Sequence, residues 1–398
     1  MKFSRKTFVS FFFLLFLGFF IFLVVLEIYL RLRGYRSPSY AMVDKKTNLV
    51  VHKPGIYEYV YPPVNPCLKN RLRINNLGFH SCKDYFHNKP SGVYRIVVLG
   101  DSYVEAVQVP CDKTFHYILE EKLNSYFNGK FEVLNFGVGG GGRLSSLLYL
   151  IEYAEQFKPD MIIDLFVYND IRDDDIFFLK NLIYPDLSKE DLLSMFRSGD
   201  YEIIKHILAK ARGYGAIGPW RERIKFYIKI KFLNEFASLR FIHTLYSRYK
   251  TMLLWKRAGD VSVYEDFGHL KVRYDDYTEW LWEWQKELIK KIVEYSKELG
   301  ARYVLVSATE GYTVHDSLMK ETPIHNNPEY DIYKKEKILE RISEELGLEY
   351  IPLLYDFRKR AEFTDEMTVF ECDGHWNEVG HRWAAEIIFE KIKDKIIR

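Results

Sequence analysis

Ser102 closes an apolar run in "VVLGDSYVEA" (97–106), directly after Gly100 and Asp101. A serine hydroxyl attacks a carbonyl only when an imidazole takes its proton and an acid fixes the imidazole's tautomer. Near the other end of the chain, "ECDGHWNEVGH" (371–381) places Asp373 two residues before His375. The tetrahedral species formed by such an attack needs N–H donors fixed before charge develops. The glycine run 139–142 in "NFGVGGGGR" (135–143) lets a backbone N–H point at a small anion, and Asn169 in "VYND" (167–170) adds a side-chain amide. That glycine run is not a phosphate loop, because no Lys-Ser/Thr follows it and the G-x-G-x-x-G spacing is missing. Each segment alone also reads as an ordinary turn. Together with a base and an acid they point to covalent acyl transfer. His381, six residues after His375, reads as helix packing behind the site.

These groups need a scaffold that brings strand ends together. "YRIVVLG" (94–100), "FEVLNFG" (131–137), "MIIDLFVYND" (161–170), "ARYVLVSA" (301–308) and "LEYIPLL" (348–354) read as short buried strands. Helical spacing separates them, as in 114–126 and 144–157, and Gly300 and Gly347 stop the helices before the last two. Strands alternating with helices imply a parallel sheet with right-handed crossovers, and ligands bind outside the carboxyl ends of such strands. The expected fold is a flavodoxin-like three-layer α/β/α sandwich of about five parallel strands. The third and fourth strands are some 130 residues apart, so residues 171–275 are expected to form a helical insertion. Within it, "IIKHILAKA" (203–211) and "IKFYIKIKFLNEF" (224–236) read as amphipathic lid helices with basic and aromatic faces that could also meet a membrane or an anionic polymer.

The N-terminus differs from the rest. Phe8 to Leu26 is apolar except for Ser10 and Gly18. Nineteen helical residues span roughly 28 Å, near the thickness of a bilayer core. Glu27-Ile28-Tyr29-Leu30-Arg31 follows, without a small-residue cleavage site, which favours an uncleaved anchor over a signal peptide. Residues 1–7 are then a short tail, 8–30 a transmembrane anchor, 31–90 an extended lead-in packed on the domain, and 91–398 the catalytic domain. Basic residues flank the span on both sides, so charge alone does not orient it.

The sequence resembles the SGNH/GDSL hydrolase superfamily, in its membrane-anchored, polysaccharide-associated branch. "GDSYVEA", "NFGVGG", "VYND" and "DGHWN" match its four blocks, and "INNLGF" (74–79) resembles the lead-in of such proteins. The resemblance covers about residues 70–170 and 275–398. It implies Ser102 as nucleophile, His375 as base, and Ser102, Gly140 and Asn169 as oxyanion donors. Many members carry the acid three residues before the histidine; here that residue is Cys372, and the spacing of Asp373 is similar to that of alginate-type O-acetylation proteins, which favours Asp373 over Glu371. The implied activity is an esterase or O-acetyltransferase acting on an extracytoplasmic glycan, with the domain periplasmic or at the cell surface. A transferase would draw on an acyl donor, such as a membrane-bound partner. A non-catalytic glycan-binding protein on the same fold and a lipid esterase are the alternatives.

Composition narrows the field. With 57 Lys+Arg against 55 Asp+Glu, the charge balance argues against a nucleic-acid partner over the whole surface. No cofactor motif is present. None of the four cysteines forms a C-x-x-C pair, so a metal site of that kind is not expected. Two disulfides fit an extracytoplasmic domain, Cys67–Cys82 first as the shortest loop, leaving Cys111–Cys372; four free thiols are the alternative. Asp170, Asp173, Asp174 and Asp175 could hold Mg²⁺ or Ca²⁺, but a solvated helix start is the expected reading.

Overall fold

The computed structural model describes residues 5–32, 40–44, 46–61, 67–184, 186–211, parts of 236–249, and 267–396. A helix α1 (Arg5–Leu32) begins the chain and is followed by two antiparallel hairpins, β1 (Ala41–Val43) with β2 (Val50–His52) and β3 (Gly55–Tyr61) with β4 (Leu68–Ile74). From β5 (Tyr94–Leu99) the expected alternation appears: α2 (Ser102–Glu105), α3 (Phe115–Tyr126), β6 (Phe131–Asn135), α4 (Arg143–Glu152) and β7 (Met161–Phe166). After α5 (Asp170–Asp173) come α6 (Ile176–Ile183), α7 (Lys189–Ser198) and α8 (Glu202–Ala211). The chain returns through the long α9 (Asp276–Glu298) to β8 (Arg302–Ser307), then α10 (Lys334–Leu346), β9 (Glu349–Pro352), α11 (Leu353–Ala361) and α12 (Glu378–Ile396).

The five central strands are parallel, in the order β6-β5-β7-β8-β9. In chain order this is 2-1-3-4-5, the flavodoxin-like arrangement, whose switch point lies between β5 and β7. Strand parity explains the three layers. Val97, Leu99, Leu305 and Phe166 face one way and pack with α4, α9 and α10; Ile96, Val98, Leu165 and Val306 face the other and pack with α3, α11 and α12. Both faces are covered, so these strands are apolar throughout.

The lead-in is more regular than its composition suggests. "LKNRLRI" of β4 alternates, with Leu68, Asn70, Leu72 and Ile74 inward, and Leu49, Val50, Val51, Phe79 and Tyr85 join the core beside α4. The described helices of the insertion also bury apolar side chains there, among them Leu192, Phe196, Ile204 and Ile207. The amphipathic reading of 224–236 falls, apart from Phe236, outside the described residues. Phe11–Leu32 is long and apolar enough to cross a membrane.

The disulfides are Cys67–Cys372 and Cys82–Cys111, not the expected pairing. Short sequence separation misled because β4 holds Cys67 and Cys82 apart. Cys67 precedes one end of β4, while the chain after β4 turns back only to Arg73, where Ser81 N donates to Arg73 O at 3.2 Å. Five extended residues cover about 17 Å, well beyond what a disulfide bridges.

Candidate active site

Ser102 opens α2 immediately past β5, with the Asp101 carboxylate capping the helix by accepting from Tyr103 N at 3.0 Å. The site therefore lies at the switch point of the sheet. Ser102 Oγ lies 2.8 Å from His375 Nε2, across 273 positions of sequence. His375 Nδ1 lies 3.0 Å from Asp373 Oδ2. With Nδ1–H donated to the carboxylate, Nε2 presents its lone pair to the serine hydroxyl. Burial alone would lower the pKa of His375, but the Asp373 hydrogen bond and charge, followed by Asp101 and Glu105, raise it above the ordinary value. Asp373 is buried at its side chain while His375 is 26% exposed, so the imidazole is both held and reachable.

The loop carrying Asp373 and His375 closes on itself. Gly374 N donates to Phe370 O at 2.7 Å, and Phe370 N donates to His375 O at 2.9 Å. Trp376, almost fully buried, anchors its far end by donating Nε1–H to Thr309 O at 3.1 Å. Tyr103 of α2 packs against the His375 ring at 5.1 Å and donates its hydroxyl to Gly374 O at 3.3 Å. His381, buried in α12, accepts from Phe115 N at 3.3 Å and stacks on the Phe115 ring.

The glycine loop is pinned by carboxylates and an amide. Asn135 Oδ1 accepts from Gly137 N at 2.7 Å. Glu105, buried three residues after Ser102, accepts the N–H of Gly139. A Cβ at Gly139 would stand 2.7 Å from Glu105 Oε2, so a larger residue there would have to push that carboxylate aside. Asp174 accepts from Arg143 N at 2.6 Å and Leu144 N at 3.0 Å, holding the loop's exit into α4. Between these anchors, Gly140 takes φ +72° and lies exposed. That conformation suits glycine.

Asn169 reaches the site, but its amide is engaged. Nδ2 donates to Asp101 Oδ2 at 3.0 Å and to Asp173 Oδ2 at 2.8 Å. An oxyanion would have to take one of these two hydrogens.

The four acidic residues after Asn169 are not a solvated helix start. Asp170, Asp174 and Asp175 are buried. Each answers backbone donors or a charge: Asp170 accepts from Val167 N at 2.7 Å and faces buried Arg143 at 3.2 Å, and Asp175 accepts from Phe178 N at 2.9 Å and from the Tyr277 hydroxyl. Asp164 is the other partner of Arg143. Burial pushes the Asp174 carboxyl up to about 7, against the hydrogen bond from Gln285 and the charge of Arg143. No group of three or more His, Cys, Asp or Glu suited to a metal ion occurs among the described residues.

Three supporting groups escaped the sequence reading. His52 of β2 pairs through Nε2 with Glu105 Oε1, and His80 Nδ1 donates to Glu105 O at 2.8 Å. Glu105 was visible only as the "E" of "SYVEA", and nothing in its spacing connects it to His52.

No family model matches the chain, and no curated protein matches it. Among solved structures it is similar to the acetyl xylan esterase AlAXEase, with 12% identity and a TM-score of 0.38 over 75% of this chain and 99% of that one. It is also similar to Axe2, an acetylxylan esterase from Geobacillus stearothermophilus, with 11% identity and a TM-score of 0.38 over 77% and 96% of the two chains. A third is a lipase/acylhydrolase from Enterococcus faecalis, with 12% identity and a TM-score of 0.36 over 76% and 97%.

Proposed function

We propose that this chain is a membrane-anchored serine esterase or acyltransferase of the SGNH/GDSL type, acting on O-acyl groups, chiefly acetyl, of an extracytoplasmic glycan. The observation that carries the reading is the unbroken line from Ser102 Oγ to His375 Nε2 and from His375 Nδ1 to Asp373. In this reading His375 takes the hydroxyl proton, Ser102 Oγ attacks the ester carbonyl, and Asp373 stabilises the imidazolium. The N–H groups of Ser102 and Gly140, with one hydrogen of Asn169, receive the oxyanion. His375 then protonates the leaving alkoxide, and the acyl group passes to water or to a sugar hydroxyl. Residues 8–30 serve as the anchor, and the two disulfides suit an oxidising compartment outside the cytoplasm.

The test is acetate release by the full chain in detergent from p-nitrophenyl acetate and from an O-acetylated glycan, with Ser102→Ala as control. Release that Ser102→Ala abolishes supports the reading. No release from either ester, or release that survives the substitution, overturns it. Acetylation of an added glycan marks a transferase.

A further inference from the structure

The lead-in before the catalytic domain contributes a side chain to the buried cluster behind the nucleophile. His52 Nε2 and Glu105 Oε1 are in direct contact, and the two side chains are only 6% and 9% exposed. Burial would push the Glu105 carboxyl up, but the charge and hydrogen bond of His52, the Gly139 N–H and His80 hold it below the ordinary carboxylate range. Glu105 is therefore a charged group inside the protein. It lies on the same one-turn helix as Ser102, and it grips the residue just before Gly140.

We propose that His52 and Glu105 are positioning residues for the oxyanion loop, an inference that rests on the esterase reading above. Glu105 fixes Gly139, and through it the direction of the Gly140 N–H, relative to Ser102. One side chain thus sets the spacing between nucleophile and oxyanion donor. His52 has a second task. A bare carboxylate beside a developing oxyanion would oppose the charge it must accommodate; a hydrogen bond from the His52 ring to the carboxylate draws part of that charge away from the loop. The polar contact of the His52 side chain is with Glu105 alone: its Nδ1 has no hydrogen-bond partner among the described residues, and its ring packs against Tyr40 at 4.8 Å. The docking is done elsewhere, as by Asn70, whose Nδ2 donates to Val107 O at 2.9 Å and Val109 O at 2.6 Å.

The experiment compares the full chain with Glu105→Gln, Glu105→Ala, His52→Gln, the His52→Gln/Glu105→Gln double variant, and Asn70→Ala as a docking control. The first readout is p-nitrophenyl acetate hydrolysis. We expect kcat to fall about 10-fold in Glu105→Gln and about 100-fold in Glu105→Ala, with KM within about twofold, because the loop acts on the transition state. The double variant should be no worse than His52→Gln alone, since the pair acts as a unit. Asn70→Ala should lower thermal stability with kcat retained. The second readout is hydrogen exchange of the 136–143 peptide, which Glu105→Ala should accelerate at least about tenfold and Asn70→Ala should leave unchanged. An unchanged kcat in both Glu105 variants, a loss confined to KM, or equal effects from Asn70→Ala would overturn the proposal. If the wild type hydrolyses no ester, the esterase reading fails; exchange in the loop then decides whether the clamp exists.

Discussion

Ser102, Gly140 and Asn169 stand on the loops that follow β5, β6 and β7; Gly140 lies exposed, but the loop on either side of it rests on the buried carboxylates of Glu105 and Asp174, and Asn169 donates to buried Asp101. Asp373 and His375 stand on a loop between α11 and α12 that holds its shape mainly by its own backbone hydrogen bonds. The first region is restrained by charge placed inside the protein: Glu105 with His52, Asp174 on the start of α4, and Arg143 with Asp164 and Asp170. The second is restrained covalently and at the surface, because Cys372 adjoins Asp373 and its disulfide partner Cys67 belongs to the lead-in, both exposed. The difference teaches that the two halves of one site face different demands. In the proposed esterase the oxyanion loop must be rigid before charge appears, whereas the base must move a proton twice and keep only its orientation. It also means that acid and reductant should injure different halves.

The largest effect should come from the acid on the tethered half. Asp373→Asn keeps the shape but removes the charge that orients His375, and turnover should fall by about 10⁴-fold. The pH profile gives the sign. His375 acts as a base only when neutral, and Asp373 is a main cause of its raised pKa. In the wild type the acid limb of kcat/KM should therefore have its midpoint above 6.5; in Asp373→Asn burial dominates and the midpoint should move down. An unmoved limb would separate Asp373 from the base.

Next in size is the covalent tether. Replacing Cys67 and Cys372 together by Ser should lower kcat roughly tenfold, as expected for a small displacement of a catalytic group. Replacing Cys82 and Cys111 should cost stability but leave kcat within about twofold. Their loops of 305 and 29 residues correspond, in the chain-entropy model, to about 5.5 and about 3.5 kcal/mol. Assays in graded dithiothreitol, with melting curves in parallel, measure both. Equal effects of the two pairs on kcat would erase the contrast between the halves.

The smallest effect on activity, but a clear one on stability, concerns the buried histidines. Burial holds His80 at about 4 and His381 at about 3, and it lowers His116 well below its ordinary value. The unfolded chain takes up these protons near 6.5 and the folded chain does not. Stability is therefore intact above about pH 6.5 and declines as pH falls toward 4, by about 3 kcal/mol for His80 alone. Urea midpoints between pH 7 and 4 check this, and His80→Gln should flatten the decline. A flat profile in the wild type would show that these imidazoles are not buried neutral.

Much of the site is legible in the sequence for a physical reason. Parallel strands must be apolar, their carboxyl ends must carry the loops, and chemistry needs particular side chains there, so "GDS", the glycine run, "VYND" and "DGH" mark themselves. Local pattern also carries the five strands, each observed within the run that suggested it. What the sequence hides is partnership across distance. The alternation in "LKNRLRI" is a strand signal obscured by its prolines and aromatics upstream. Cys67 found Cys372 because β4 carries it away from Cys82. The acidic run after Asn169 looks like a wet helix start because nothing local shows that Arg143 and two helix starts need those carboxylates. Glu105 looked like any helix residue until His52 arrived from the lead-in.

The central claim is that the Ser102 hydroxyl is a nucleophile activated by His375. It is tested most directly by treating the full chain with a fluorophosphonate and locating the adduct by mass spectrometry. We expect one adduct, on Ser102, formed at least about 10³-fold more slowly in His375→Ala. An adduct on another residue, or equal labelling of the two proteins, would contradict it.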